Sequence, residues 1–446
     1  MAARTLAFIE LPRQLGQYCV ETGRRLAAGT GVRCLHYSLR TEVRSLLRRC
    51  GVAVEPVTTG LPAAAGARLT LDLSLCKLAN SGDRRWLGQA AQLQAGLAEY
   101  FDRHAVDAIF VWNGSDLTAA VAVALARQRG MTVLFGENGY LPGTLQIDTG
   151  GVNCLSSLNA AIAAGEFRGA SLPPAERAAL EASLVTLRSA ARRAPAAAQL
   201  RRVQPSRLAL AERELLRPLQ LSRVSLHPRP REFAASALPA DIGPYVLLPL
   251  QVLGDSQLIQ HSPLIGNDMP SFVRRVAEAL QQVAPGTRLV AKLHPMEQVY
   301  ELGAYRRLSG RVPNLSWVRD VPATRLAAGA DAVVTVNSTV GFEALALGRP
   351  VVTLGRNFYC HAPLVHPVTQ LDALPAALRQ ALHTPLDLEL RDQFLAFVWQ
   401  RILVETSYRD LSERSLGALV RRLAALLGYG VAQPPGVKTQ AATAAH

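Results

Sequence analysis

At 446 residues the chain is too long for one ordinary core, so two domains with extensions are expected. Hydrophobic residues make up 49% and charged ones 18%, a globular rather than a disordered composition. The net charge of +14 suits nucleic acid, an anionic membrane surface or an acidic substrate, but aromatics are only 6% and are not interleaved with the basic residues. That argues against a nucleic-acid partner and favours an anionic sugar or an acidic membrane surface.

The longest apolar runs, such as Val246 to Leu250, are strand-length and far short of a bilayer span. Residues 1–12 lack the apolar core of a secretory signal, so a soluble, cytoplasmic chain is expected. Six scattered cysteines, at 19, 34, 50, 76, 154 and 360, form no CxxC pair and suggest buried, reduced thiols rather than zinc or disulfides.

In chain order, Thr5–Glu10 reads as a strand, Arg13–Ala28 as a helix and Val32–Tyr37 as a strand. A helix over Thr41–Cys50 and a short strand near Val52–Glu55 follow. Next come a helix over Arg84–His104, a strand over Asp107–Trp112, a helix over Leu117–Arg129 and a strand over Thr132–Phe135. Strands alternating with helices imply a parallel sheet covered on both faces. Residues 172–217 are rich in Ala, Leu and Arg and read as connecting helices. A second alternating block has strands at Tyr245–Leu250, Arg288–Leu293, 332–336 and 350–354, with helices at Ser271–Val283 and 340–347. Residues 371–427 read as helical, and the Gly/Pro/Ala/Thr-rich end as disordered.

The fold class expected is therefore α/β, with two facing Rossmann-like domains, a central cleft and C-terminal helices. Its parts are residues 1–170, a helical connection over 171–235, a second Rossmann-like domain over 236–385, helices over 386–427 packing back across the domains, and a tail over 428–446. Ligands in such folds sit beyond the carboxyl ends of the strands.

Four polar loops qualify: Gly136-Glu137-Asn138-Gly139-Tyr140, Gln251 through Gln257, His294-Pro295 with Lys292 before it, and Asn337-Ser338-Thr339-Val340-Gly341. The last joins a strand to a helix N-terminus, whose unpaired N–H groups and partial positive charge make an anion site; Ser338 or Thr339 as a plain helix cap is the other reading. Each of the others has a plain alternative. Glu137 suits a surface ion pair, Asp255 an ordinary turn after Gly254, and His294 a structural place at a strand end. Lys292 stands out because the chain has only three lysines, Lys77, Lys292 and Lys438.

Taken together, His294, Ser338, Thr339 and Lys292 are donors suited to a phosphate that leaves with negative charge. Glu137 and Asp255 are carboxylates suited to acid/base work or to attack on an electrophilic carbon. That division describes glycosyl transfer from a nucleotide sugar better than hydrolysis or redox chemistry. No GxGxxG follows the first strand and no GxxxxGK[ST] occurs; no Asp-x-Asp follows a strand, so the sequence requires no metal.

With these loops assembled, the chain resembles the bacterial capsule polysaccharide biosynthesis family, whose characterised members are retaining β-Kdo glycosyltransferases. The matching segments are Glu137-Asn138-Gly139-Tyr140, Gly150-Gly151-Val152-Asn153, Pro249-Leu250-Gln251 through Asp255-Ser256-Gln257, Lys292-Leu293-His294-Pro295, and Asn337 through Leu345. The resemblance implies a GT-B fold, CMP-β-Kdo as donor and no metal or other cofactor. It implies a glycolipid or growing glycan, itself anionic, as acceptor at the inner face of the cytoplasmic membrane, where the protein would make peripheral contact. It puts the acceptor side in residues 1–170 and the nucleotide-sugar side in 236–385.

By the same likeness, Asp255 is the nucleophile and Glu137 the acid/base. Lys292, His294, Ser338, Thr339, Gly341 and Glu343 fall to the nucleotide, and Asn138, Tyr140, Asn153, Gln251 and Gln257 to the substrate. An inverting CMP-sugar transferase, with Asp255 as general base, and a non-catalytic assembly or export component are the alternatives. Two departures from the family pattern, Leu141-Pro142-Gly143 after Tyr140 and Asp148 where a Glu is common, fall near the acceptor side.

Overall fold

The strand β1 (Thr5–Ile9) is buried at all five positions, as the centre of a parallel sheet covered on both faces must be. It opens a computed structural model that describes residues 4–54, 69–80, 84–189, 242–252, 254–294, 302–309 and 311–429. The chain continues through α1 (Arg13–Thr30), β2 (Arg33–Tyr37), α2 (Thr41–Arg49), α3 (Trp86–His104), β3 (Ala108–Trp112) and α4 (Leu117–Gln128). It then forms β4 (Thr132–Asn138), β5 (Thr144–Asp148), α5 (Leu158–Ala163) and α6 (Pro174–Ser189).

The second block begins with β6 (Tyr245–Pro249), α7 (Ser256–His261), α8 (Met269–Val283), β7 (Arg288–Lys292) and α9 (Leu302–Ser309). It goes on through β8 (Leu315–Val318), α10 (Ala323–Gly329), β9 (Ala332–Thr335), α11 (Thr339–Ala346), β10 (Val351–Thr353), β11 (His366–Pro367) and α12 (Leu374–His383). α13 (Leu388–Arg401), β12 (Leu403–Glu405) and α14 (Glu413–Leu426) close the described chain.

Local chemistry accounts for many boundaries. α8 is capped by Asp268, which accepts the Ser271 N–H, and Pro270 lies in its first turn. Its buried Phe272, Val273, Val276 and Leu280 follow helical spacing. α1 ends on Gly31 at φ 77, the left-handed cap that glycine adopts without strain.

Two six-stranded sheets result, ordered β12-β5-β4-β3-β1-β2 and β11-β10-β9-β6-β7-β8. The second is parallel throughout. The first is parallel from β2 to β4, after which β5 and β12 join antiparallel. This is the expected α/β, GT-B-like architecture of two Rossmann-like domains. One apolar cluster belongs to both domains: Tyr140 lies among Phe342, Phe358 and Tyr359, with ring centroids 4.8, 4.8 and 6.2 Å away. No helix among the described residues is long and apolar enough to cross a membrane.

Strands β5, β8 and β11 lie where the sequence announces none, and three of the expected elements differ. β4 continues through Glu137 and Asn138, because β5 folds back and pairs with it, Glu137 opposite Gln146 and Asn138 opposite Leu145. Residues 52–54 form no strand; Val52 and Val54 pack instead against Val20, Val43 and Leu47, and Glu55 lies outside the described residues. The 371–427 region is interrupted by β12, which leaves the helices to extend the first sheet. Of the 171–235 connection, 190–235 lies outside the described residues, as does the tail from residue 430.

Candidate active site

In the second sheet the chain steps from β6 to β7 and β8 on one side, then crosses to β9, β10 and β11 on the other. The strand order reverses between β6 and β9, and a crevice opens beyond their carboxyl ends. Gln251, just after β6, and Asn337, just after β9, meet there: Gln251 Nε2 donates to Asn337 Oδ1 at 3.0 Å. Gln251 Nε2 also lies 3.3 Å from Asp255 Oδ2, while Asp255 Oδ1 accepts the Gln257 N–H at 2.9 Å and caps α7. Both carboxylate oxygens therefore have donors, and the side chain is held in one orientation. Asn337 is buried, and its Nδ2 reaches the Gln257 carbonyl at 2.9 Å, so it fastens this corner together.

Ser338 caps α11 by accepting the Val340 N–H at 3.2 Å. Its hydroxyl stays half-buried, and Thr339 is exposed at the same helix N-terminus. Gly341 is buried, and a Cβ there would stand 2.5 Å from the Tyr359 hydroxyl and 2.8 Å from Thr335 Cγ2. Tyr359 uses that approach to donate to the Ser338 carbonyl at 2.5 Å. Glu343 is half-buried, and its carboxyl has no hydrogen-bond or ion-pair partner among the described residues; burial pushes it up to about 7.

Lys292 is buried, and its ammonium donates to the carbonyls of Leu293 at 2.7 Å and Arg319 at 2.6 Å. It ties the end of β7 to the end of β8. Burial draws its pKa down. Burial likewise lowers His294, while the Asp255 charge acts the other way on it. Pro295 to Glu297 of that loop lie outside the described residues.

Across the cleft, Glu137 stands at the carboxyl end of β4. Asn113, after β3, donates Nδ2 to its Oε2 at 3.0 Å; the Asn138 N–H and Nδ2 donate to Oε1 at 2.8 and 3.0 Å. Burial raises the Glu137 carboxyl above an ordinary glutamate, and the negative charge of Asp255 raises it further. The two carboxylates, one per domain, thus share an electrostatic neighbourhood. α7 of the second domain docks on the first, Gln260 Nε2 reaching the carbonyls of Ser74 and Leu75 at 3.2 and 2.8 Å.

Tyr140 and Asn153 are buried behind this surface. Gly139 admits the tight return of the β4–β5 hairpin, since a Cβ there would lie 2.0 Å from Thr144 Oγ1. The hairpin turns Tyr140 inward, where its hydroxyl donates to Asn153 Oδ1 at 2.5 Å and accepts from Asn357 Nδ2 at 2.9 Å. Asp148, expected near the acceptor, is 2% exposed and organises the next loop through Ser156 Oγ at 2.6 Å and the Gly150 N–H at 2.7 Å.

The structure therefore brings Glu137, Asn138, Asp255, Gln257, His294, Ser338 and Thr339 to one cleft. Tyr140, Asn153, Gln251, Gly341 and Lys292 are buried supports around it. Asn113, Asn337 and Asn357 go unremarked in the sequence as site residues. Asn337 belongs to the polar loop Asn337–Gly341, but Asn357 has no spacing signal: its partner Tyr140 is 217 residues away.

The family model described as capsule polysaccharide biosynthesis protein matches residues 107–372, more than half of the chain, and spans the ends of both sheets. The chain belongs to that family. Protein FixF of Sinorhizobium fredii is 31% identical over 329 residues, covering 72% of this chain and 67% of FixF. The capsule polysaccharide export protein KpsS of Escherichia coli is 36% identical over 123 residues, 26% of this chain and 31% of KpsS. Among solved structures, the β-Kdo 2,4 transferase KpsC of Thermosulfurimonas dismutans aligns at 20% identity and TM-score 0.38, over 65% of this chain and 79% of that one. Its β-Kdo 2,7 transferase counterpart aligns at 17% and 0.37, over 77% and 97%.

Proposed function

We propose that this family member is a retaining β-Kdo glycosyltransferase that moves Kdo from CMP-β-Kdo to an anionic glycolipid or glycan in surface-polysaccharide synthesis. The observation that carries the reading is the pairing of Glu137 and Asp255 across one cleft, each at the carboxyl ends of its sheet and each held by donors.

In the first step an Asp255 oxygen attacks the anomeric carbon as the bond from that carbon to the CMP phosphate breaks, and CMP leaves with the electron pair. In the second, Glu137 takes the proton of an acceptor hydroxyl, whose oxygen attacks the same carbon and displaces Asp255. Two inversions give net retention. A raised Glu137 carboxyl suits a group that accepts a proton near neutrality. Ser338, Thr339 and His294 hold the departing phosphate at the N-terminus of α11. The donor carries a single phosphate, so the scheme gives no role to a metal or other cofactor. A basic surface, at net charge +14, suits peripheral contact with the inner face of the cytoplasmic membrane while the acceptor is engaged.

Intact-mass measurement after incubation with CMP-Kdo tests this directly. One added Kdo, mapped by peptide sequencing to Asp255 and absent from Asp255→Ala, is the expected result. Turnover of a Kdo-terminated acceptor with no adduct and an inverted product would sink the double displacement.

A further inference from the structure

An unbroken series of hydrogen bonds runs from one carboxylate to the other through the inside of the protein. Glu137 accepts from Asn138, whose carbonyl accepts Gln146 Nε2 at 3.0 Å; that same Nε2 is 3.3 Å from Asn153 Oδ1. Tyr140 OH joins Asn153 to Asn357 Nδ2, which donates on to the Asn337 carbonyl at 3.1 Å. Asn337 Oδ1 accepts Gln251 Nε2, which reaches Asp255. Gln146, Tyr140, Asn153, Asn357, Asn337 and Gln251 are all at most 8% exposed. The Tyr140–Asn357 contact is the step from the first domain to the second.

We infer that Tyr140 and Asn357 are positioning residues, whose contact fixes how far Asp255 of the second domain stands from Glu137 of the first. The inference rests on the assignment of those two carboxylates under the proposed function.

Three considerations support it. The interior members are amides and a phenol, none of which changes protonation state near neutral pH, so the series transmits geometry. Adhesion between the domains is already supplied by Tyr140, Phe342, Phe358 and Phe394, and apolar packing tolerates small slides that directional hydrogen bonds do not. The aromatic ring and the hydroxyl of Tyr140 thus do separable jobs, one cohesive and one orienting. A glycosyl transfer that needs both carboxylates on one carbon is sensitive to displacements of about 1 Å.

Tyr140→Phe removes the hydroxyl and keeps the ring. The expected result is a fall in kcat of about tenfold with the donor KM within about twofold of wild type, because the proposed phosphate contacts, His294, Ser338 and Thr339, all lie in the second domain. Asn357→Ala breaks the same link and also the bonds to the Asn337 carbonyl and the Phe358 N–H, so it should lose at least as much, and the double variant should lose no more than Asn357→Ala alone, since one link cannot be broken twice. Hydrogen exchange followed by mass spectrometry should quicken in peptides spanning 149–158 and 354–362 and stay unchanged in the strands β1 and β7. Wild-type kcat in Tyr140→Phe, additive losses in the double variant, or unchanged exchange at the two peptides would each overturn the inference. If the wild-type enzyme transfers nothing from CMP-Kdo, the functional assignment fails by itself, and the exchange pattern still decides whether this contact registers the domains.

Discussion

Asn113 donates its amide to Glu137 Oε2 at 3.0 Å while its own backbone sits at φ 64, a conformation that asparagine and glycine tolerate better than other residues. The loop after β3 is bent so that this one amide steadies the ionised form of a carboxyl that burial and Asp255 push upward. Replacing Asn113 by glycine keeps the backbone and removes the donor. The acid limb of the pH profile of kcat/KM reports Glu137 and should already lie above the ordinary glutamate value of 4.5. In Asn113→Gly it should move up further, as the hydrogen bond that favours the charged form is lost. A limb that stays put or moves down would show that another group titrates there.

Ser338 and Thr339 share a helix N-terminus but differ in what else they do. Ser338→Ala should lower stability to chemical denaturation by about 1 kcal/mol, because the cap on α11 is lost, and should also raise the donor KM. Thr339→Ala, at an exposed position without a cap role, should raise the donor KM with stability unchanged. Equal stability loss in both would reduce the segment to ordinary helix capping.

Glu343 gives a pH dependence of known sign. Its carboxyl is raised to about 7 in the folded protein against 4.5 for the unconstrained group. Its contribution is therefore whole below about pH 4.5 and is lost as pH climbs from there through 7, since the unfolded chain ionises first. Glu343→Gln should match wild type near pH 4.5 and exceed it by about 1–2 kcal/mol at pH 8. Thermal melts across that range supply the check, and parallel curves for the two proteins would place the carboxyl in an ordinary environment.

Lys292→Met should destabilise by about 1–3 kcal/mol, because the buried carbonyl of Leu293 and the part-buried one of Arg319 lose their donor. The effect on CMP affinity, measured by calorimetry, should be small beside that of Ser338→Ala. A large loss of affinity with full stability would return Lys292 to the phosphate.

The alternation of strands and helices, the four polar loops and the helix N-terminus at Ser338 were legible because each is carried by neighbours in sequence. The apolar run of β4 ends at Phe135, which puts Glu137 on a loop by sequence alone; its last residues become a strand only once β5 pairs with them. β12 is three residues inside an otherwise helical composition, and its pairing with β5 is what makes it a strand. The Lys292 ammonium shows the same limit, for its carbonyl partner at Arg319 lies a whole strand away. The amides of Gln251, Asn337 and Asn357 are the extreme case, as only the finished packing tells an orienting amide from a ligand-binding one.

β12 pairs with β5, and α14 lays Leu416, Leu419 and Leu423 against the face of the first sheet, with Arg25 reaching Glu413 and Tyr18 bonded to Thr406. The first domain is therefore not a continuous piece of chain. During synthesis its opening five strands emerge first, yet one edge of the sheet and part of one face stay bare until residue 426 has been made. The domain that begins earliest is finished last, and neither half can be exchanged between relatives as a simple cassette cut at the middle of the chain.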